Sequence, residues 1–161
     1  MALDNIPNLV VNYNYSIEID TTPQADSPTW AALCAGFNNI SEALNEQIQQ
    51  YFFLCGKGYA ANYVTGMAPS FTFTGVRVIG DEAQDFIFSF NNKYGTLKAR
   101  ETHMRLTRNA SDGSKDVISA NVTLVNITDV GGGTTDGSAV NVEVRINGAP
   151  FDGDAWEDQS I

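Results

Sequence analysis

The chain has 161 residues, with 19 Asp and Glu against 9 Lys and Arg, and a net charge of −10 at pH 7. That length is typical of one domain, and the acidic balance excludes sequence-independent binding to duplex DNA. Only 17% of residues are charged, which excludes a coiled coil, and 9 Phe with 6 Tyr exclude an acidic disordered chain. We expect a single domain over 1–161, with an N-terminal arm at about 1–10 and an acidic C-terminal tail at about 151–161.

The sequence shows no signal for export or membrane insertion. No stretch approaches the ~20 apolar residues of a membrane-spanning helix. The first residues, Met1 to Asp4, lack the basic and apolar regions of a signal peptide. We therefore expect synthesis in a cytosol and no membrane partner. Cys34 and Cys55 lack a C-x-x-C spacing, so we expect two reduced thiols.

The first predicted elements are two strands. Apolar and polar residues alternate from Val11 to Ile19, which is typical of a strand with one buried face. Pro23 and Pro28 bracket a turn, and the stretch from Thr29 to Ala35 predicts a second strand.

A long segment at about 41–68 then lacks the period of either a helix or a strand. Long irregular segments inside compact domains are often functional, and the aromatic content argues against disorder. We predict a long loop or hairpin. Its apolar residues belong either to a core segment that folds back or to a surface buried by a partner. These candidate interface residues are Leu44, Tyr51, Phe52, Phe53, Tyr59, Tyr63 and Val64.

One helix is predicted over about 82–94. Before it, Ser70 to Thr74 alternates as a strand, and Gly75 marks a change of phase that predicts a β-bulge. Asp81 is the expected N-cap, with Gln84 completing a capping box, and Gly95 is the expected left-handed residue after the helix. The predicted apolar face repeats every 3.6 residues and comprises Ala83, Phe86, Ile87, Phe90 and Tyr94.

Three further strands are predicted after the helix. They span about 97–108, 118–127 and 140–147, with an Asp-Gly turn at 109–114 between the first two. The alternation of the middle strand shifts phase at Val125 and Ile127. A mainly β fold follows: an antiparallel β-sandwich or open barrel with one flanking helix and the long loop or hairpin.

The sequence offers no recognisable active site. The single histidine, His103, lies in a predicted strand, and there is no G-x-S-x-G elbow for a nucleophilic serine. The glycine run Gly131 to Gly133 lacks the Lys and the helix start of a phosphate-binding loop, so it predicts a flexible hairpin loop. We expect a protein that is not an enzyme and has no catalytic residue, cofactor or metal.

The stretch from Thr72 to Phe88 resembles the middle of the major tail proteins, the tail tube subunits of long-tailed phages that infect Gram-positive bacteria. The resemblance extends in order from about Tyr15 to Pro150. Four shorter pieces support it: Leu44-Asn45-Glu46, Gly56-Lys57-Gly58-Tyr59, Val64-Thr65-Gly66 and Ile146-Asn147-Gly148-Ala149-Pro150.

The resemblance implies a structural virion protein that forms stacked hexameric rings, the tail tube through which DNA enters the host. The long segment would reach a neighbouring subunit, and a sheet face carrying Glu18 or Glu143 would line the lumen, where viral DNA passes without specific binding. The implied partners are a tail tip or baseplate initiator, a tape measure protein and a tail terminator. The implied location is the virion tail, assembled in the host bacterial cytoplasm.

Three other functions stay open from the sequence. A tube subunit of a contractile injection system would share the fold. A monomeric β-sandwich that binds carbohydrate or a cell surface would use Trp30, Trp156 or the aromatic residues between Tyr51 and Tyr63 as its platform. An enzyme would depend on His103.

Overall fold

A computed structural model describes residues 10–109 and 115–154. In these residues the chain forms nine strands and two short helices. The strands are β1 (Tyr15–Asp20), β2 (Trp30–Ala32), β3 (Phe37–Ala43), β4 (Gln47–Phe52), β5 (Ala60–Gly66), β6 (Ser70–Val76), β7 (Glu101–Asn109), β8 (Lys115–Thr128) and β9 (Ala139–Asp152). The helices are α1 (Glu82–Ile87) and α2 (Phe90–Lys93).

Seven of the strands form one antiparallel sheet in the order β2-β1-β7-β8-β9-β6-β3. The sheet curls into a half-barrel, which confirms the predicted mainly β class. β4 and β5 pair only with each other and continue the hairpin that β3 and β6 begin. The predicted loop or hairpin at 41–68 is therefore a hairpin.

The hydrophobic core lies on one face of the seven-stranded sheet. In β9 the buried side chains are Val140, Val142 and Val144, which alternate with polar residues as the sequence predicts. In β8 the same alternation buries Ala120, Val122 and Leu124. Helix α1 packs onto this core, where its Ala83 and Ile87 are fully buried.

The predicted single helix over 82–94 is wrong in its second half. α1 ends at Ile87, and Ser89 adopts an extended conformation before α2 begins. The Ser89 hydroxyl donates a hydrogen bond to the Phe86 carbonyl at 2.8 Å, and such local side-chain bonds compete with the helical pattern. The break turns Phe90 and Tyr94 out of the predicted apolar face, and both are exposed.

The ends of the helical region partly match the prediction. Asp81 caps α1, because its carboxylate accepts from the Gln84 amide N–H at 3.0 Å. The Gln84 side chain does not complete a capping box; it bonds the backbone of Ala35, Val76 and Val78 instead. Gly95 is not among the residues with positive φ. Its lack of a side chain matters for space, since a Cβ there would lie 2.1 Å from the Asn91 carbonyl oxygen.

Two strands begin later than predicted, because a 3₁₀ turn precedes each of them. Residues 12–14 form the first turn, so β1 starts at Tyr15 rather than Val11. Residues 97–100 form the second, so β7 starts at Glu101 rather than Leu97. β2 covers only residues 30–32, in the first half of the predicted 29–35 strand.

The predicted bulge at Gly75 lies on the opposite strand. The β3–β6 register shifts between Phe37 and Asn39, facing Gly75. A Cβ at Gly75 would lie 1.9 Å from the Gly36 carbonyl oxygen, so only glycine allows this close approach. In β8, the predicted phase shift coincides with Asn126, whose φ is +53°, and with a register shift against β9.

The remaining predictions concern the chain termini and the turns. Asn109 pairs with Lys115, as the predicted turn requires, but residues 110–114 of that turn lie outside the described residues. The glycine run at 131–133 lies in the loop between β8 and β9. β9 continues to Asp152, two residues into the predicted tail. Trp156 and the arm at 1–9 lie outside the described residues.

Candidate functional site

The protruding part of the molecule is the hairpin made of β4, β5 and the turn between them, residues 44–67, which we call the assembly hairpin. β3 and β6 anchor it through the pair Ala43↔Ser70. No residue of β4 or β5 is buried. A strand rises about 3.3 Å per residue, so the six residues of β4 alone span roughly 20 Å.

One face of the assembly hairpin is a cluster of aromatic rings. The Tyr51 ring lies 5.8 Å from the Phe53 ring, in a stacked arrangement, and 6.1 Å from the Tyr63 ring on the neighbouring strand. About half of each of these side chains is exposed. Aromatic pairs at such distances stabilise each other modestly, but most of the gain from burying a ring is still unrealised.

The opposite face of the assembly hairpin is apolar as well. Ile48 and Val64 pair across the two strands, and Phe52 lies on the same face. Phe52 is 67% exposed. Gln50 donates to the Asn62 side chain at 3.1 Å between these apolar residues. A two-stranded hairpin with two uncovered apolar faces is marginally stable in water on its own, so this geometry favours burial by a partner on both sides.

The seven predicted interface residues all lie on the assembly hairpin. Leu44 lies at its base, and Tyr59 lies near its tip. Three more exposed apolar residues lie on the same hairpin outside the seven predicted ones: Ile48, Leu54 and Met67. The spacing of Ile48 from Phe52, both on even positions of one strand, is the signal that would have identified the second face.

Glu18 and Glu143, the predicted lumen residues, lie on the polar face of the seven-stranded sheet. Each alternates with core residues of its own strand. Both carboxylates have cationic partners: Glu18 accepts from Arg105 at 2.8 Å and Glu143 accepts from Arg145 at 2.9 Å. The hydrogen bond from Arg145 lowers the pKa of Glu143. This face is therefore polar with locally balanced charge.

His103 has a structural partner. Its Nδ1 lies 2.9 Å from Oδ2 of the buried Asp20. The other oxygen of Asp20 accepts from the backbone N–H groups of Thr22 and Thr29, both at 2.9 Å, so the pair fastens the turn between β1 and β2 to β7. No serine or cysteine is among the described residues that line the cleft beside His103.

Trp30 does not offer a free ring for a sugar. The Arg105 guanidinium lies over it, 4.5 Å from the ring centroid. A cavity with a volume of about 540 Å³ lies between β1 and β3. Tyr15, Phe37, Ile40 and Asn39 contribute to its lining, and no described lining residue is an acid or a histidine.

Three further observations concern the described part of the chain. Cys34 and Cys55 are exposed free thiols, and Cys55 lies in the turn of the assembly hairpin. No group of three or more acidic, histidine or cysteine side chains within residues 10–109 and 115–154 is arranged to hold a metal ion. Neither helix there has the length and apolar character needed to cross a bilayer.

No known protein family and no curated protein matches the sequence. Solved structures do match its fold. The tail of an empty gene transfer agent particle, refined with helical and sixfold symmetry, superposes with a TM-score of 0.65 and 14% identity, covering 91% of this chain and 100% of that one. The chain has the fold of a tail protein.

Two more structures extend the comparison. The SPP1 tail tube matches with a TM-score of 0.64 and 12% identity over 89% of this chain and 78% of the other. The tube terminating cap of the anti-feeding prophage matches with a TM-score of 0.56 and 14% identity over 96% of this chain and 100% of the other. Identities this low establish only a common fold. The role of this chain must therefore be argued from its own surfaces.

Proposed function

We propose that this chain is the structural subunit of a tail tube, in which hexameric rings stack into a conduit for DNA. The observation that carries the proposal is the assembly hairpin, whose two apolar faces are uncovered within the chain. The tail protein fold supports it, since solved neighbours include a sixfold-symmetric tail and a tail tube.

The proposed rings require that the assembly hairpin contact a different surface of the next copy. The sixfold symmetry of the matching gene transfer agent tail supports a contact of this kind. Contacts of this heterologous kind generate closed rings or open helical filaments. Because the assembly hairpin has two apolar faces, we propose that one face contacts a neighbour within the ring and the other face contacts a subunit of the next ring.

The lumen in this proposal is the polar face of the seven-stranded sheet that carries Glu18 and Glu143. Paired charges and amide side chains on this face, such as Asn147 donating to Thr123 at 2.7 Å, leave few basic groups to bind phosphates. DNA would then pass without the salt-dependent affinity that accumulates with each phosphate contact. Replacing Glu143 with Lys should slow DNA ejection from particles at low salt, whereas unchanged ejection would place Glu143 outside the lumen.

We propose no catalytic role for the chain. The proposed partners of the tube are a tail tip or baseplate initiator, a tape measure protein and a tail terminator. The proposed location is the virion tail, assembled in the host cytoplasm. The more specific version, which the sequence resemblance supports, is the major tail protein of a long-tailed phage of Gram-positive bacteria. A tube subunit of a contractile injection system is the second candidate, favoured by the match to the anti-feeding prophage cap.

Light scattering across a range of protein concentrations tests this proposal. The expected result is a species of six subunits or more, seeded if necessary by a tail tip complex. A strictly monomeric protein at millimolar concentration, with the initiator present, would refute self-assembly. Binding of an oligosaccharide by that monomer would support the carbohydrate-binding module instead.

A further inference from the structure

The half-barrel leaves its hydrophobic core open along one side, in a groove between β1 and β3. β2 and β3 are the two ends of the sheet, and no described strand lies beyond either of them. The core residues Ile17 and Phe73 line the cavity of about 540 Å³ in this groove, and so do the half-buried Phe37 and Ile40. Apolar side chains of the core therefore face a space that the described residues do not fill.

The groove continues along β3 beyond this cavity. A second cavity, of about 140 Å³, shares Asn12, Tyr15 and Ile40 with the first one and adds Phe71 and Leu106 to the lining. Together the two cavities form an elongated channel. Grooves of this shape bind a polypeptide segment in an extended conformation.

The rim of the larger cavity is polar but carries no charge. Asn12, Asn38 and Asn39 are exposed there. Their amide groups can donate to and accept from the backbone of an extended chain, which has no internal hydrogen bonds of its own. None of the described residues that line this cavity is Asp, Glu, Lys, Arg or His. An apolar segment with little charge is therefore the occupant that suits this lining.

The N-terminal arm, residues 1–9, is attached at this groove. The described chain starts at Val10, and Asn12 and Tyr13 already line the larger cavity. Nine extended residues span up to about 30 Å. The seven residues of β3 span roughly 23 Å, so the arm is long enough to follow the groove. Covalent attachment beside the groove also gives the arm a high effective concentration there.

The sequence of the N-terminal arm matches the lining of the groove. Its large aliphatic residues Leu3, Ile6 and Leu9 recur at every third position. An extended chain of the polyproline II type has three residues per turn, so these side chains would share one side of it. Pro7 favours that conformation. Asp4 is the one charged side chain of the arm.

We infer that the N-terminal arm lies in the groove between β1 and β3 of its own chain, with Ile6 and Leu9 against the core. The docked arm completes the packing that the seven-stranded sheet leaves open. It also covers the free edge of β3, which would otherwise be available for pairing with another chain. The inference concerns a single chain, so it does not depend on the proposed self-assembly.

Disulfide trapping tests this placement. Cys34 is an exposed free thiol that lines the larger cavity. Two variants, Asn5→Cys and Asn8→Cys, each combined with Cys55→Ser, keep the apolar residues of the arm. On mild oxidation at least one of them should form a disulfide from the arm to Cys34 within one chain, detected as a linked peptide pair in protein of monomer mass.

The wild-type chain is the control for trapping. Its Cys34 and Cys55 should not pair within the chain under the same oxidation, because Cys55 lies in the turn of the assembly hairpin. A disulfide between two chains would assign the groove to the arm of another copy. A failure of both variants to form any disulfide would place the arm elsewhere. Either outcome would overturn the inference.

Thiol labelling measures whether the arm covers the groove. Deletion of residues 2–9 should speed the reaction of Cys34 with a bulky maleimide by about tenfold, because the groove is then open to solvent. The reaction of Cys55 is the internal control and should keep its rate. An unchanged rate at Cys34 would show that the arm does not cover the groove and would contradict the inference.

Two variants of equal charge isolate the apolar contacts of the arm. Ile6→Asp combined with Leu9→Asp places carboxylates against the core, so the arm should be released and Tm should fall by about 5 °C. Asn5→Asp combined with Asn8→Asp adds the same charge between the apolar residues and should keep Tm near wild type. Equal Tm values for the two variants would show that Ile6 and Leu9 do not contact the core, and the inference would be wrong.

Discussion

The seven-stranded sheet and the assembly hairpin are built from the same kind of strand but bury their side chains differently. Strands of the sheet such as β9 have one buried face and one solvent-exposed face, and Val142 on the buried face of β9 is fully buried. β4 and β5 bury nothing, although both of their faces carry large apolar residues. The sheet completes its packing within the chain, whereas the apolar side chains of the hairpin stay uncovered there. Substitutions in the two regions should therefore separate folding from assembly.

The largest effect is expected from the double substitution Tyr51→Ser and Phe53→Ser. It removes the aromatic face of the assembly hairpin, so assembly should be lost entirely. The circular dichroism spectrum and Tm should stay near wild type, because neither residue is buried. Ile79→Ser, which replaces an 86% exposed residue outside the hairpin, is the matched control and should assemble normally. Unfolding of the double variant would assign these rings to the core.

The converse effect is expected in the sheet. Leu124→Ala leaves a cavity in the core and should lower the free energy of unfolding by about 3 kcal/mol. Molecules that remain folded should still assemble. Leu54→Ala, at a fully exposed position of the hairpin turn, should leave the unfolding free energy unchanged. Urea unfolding of both variants measures the contrast, and equal losses of stability would contradict it.

A smaller loss of unfolding free energy is expected when a glutamine in the sheet region, rather than one in the hairpin, is replaced by alanine. Gln84 is buried, donates to the carbonyls of Ala35 and Val76 at 2.9 and 3.0 Å, and accepts from the Val78 N–H at 2.8 Å. Gln84→Ala leaves these backbone groups unpaired and should cost about 2 kcal/mol. The exposed Gln50 makes one side-chain hydrogen bond, so Gln50→Ala should cost almost nothing. A large loss for Gln50→Ala would mean that the hairpin contributes to monomer stability.

The smallest effect concerns pH. The hydrogen bond from Arg145 lowers the pKa of Glu143, so the folded state binds this proton less tightly than the unfolded state does. The stabilisation is complete above the unfolded pKa of about 4.3 and is lost as pH falls through the folded pKa. The stability gap between wild type and Glu143→Gln should therefore close on acidification. A gap that widened at low pH would contradict the ion pair.

The sheet could be predicted from sequence because its faces differ. The alternation of Val140, Val142 and Val144 with polar residues indicates one buried and one solvent-exposed face. Asp81 is recognisable as the start of α1 because its carboxylate can accept a hydrogen bond from a backbone N–H of the first turn. The Ser89 break was missed because the pattern of apolar residues continues through it. Periodicity reports where apolar residues recur and does not report where the backbone leaves the helix.

The candidate site was only partly predictable for the same reason. The aromatic content of 41–68 identified the seven candidate residues, but two equally exposed faces give no alternation, so neither the strands nor the faces could be assigned. The pairing of Glu18 with Arg105 joins strands whose partner residues lie far apart in sequence. A single sequence cannot supply that register, and so the balanced charge of the polar face emerged only from the structure.

Electron microscopy of the concentrated protein, alone and seeded with a tail tip complex, decides whether the chain builds a tube. We expect hollow tubes of stacked rings for wild type and none for the variant with Tyr51→Ser and Phe53→Ser. Isolated wild-type monomers in both preparations would contradict self-assembly, and tubes formed equally well by the variant would show that the assembly hairpin does not build them.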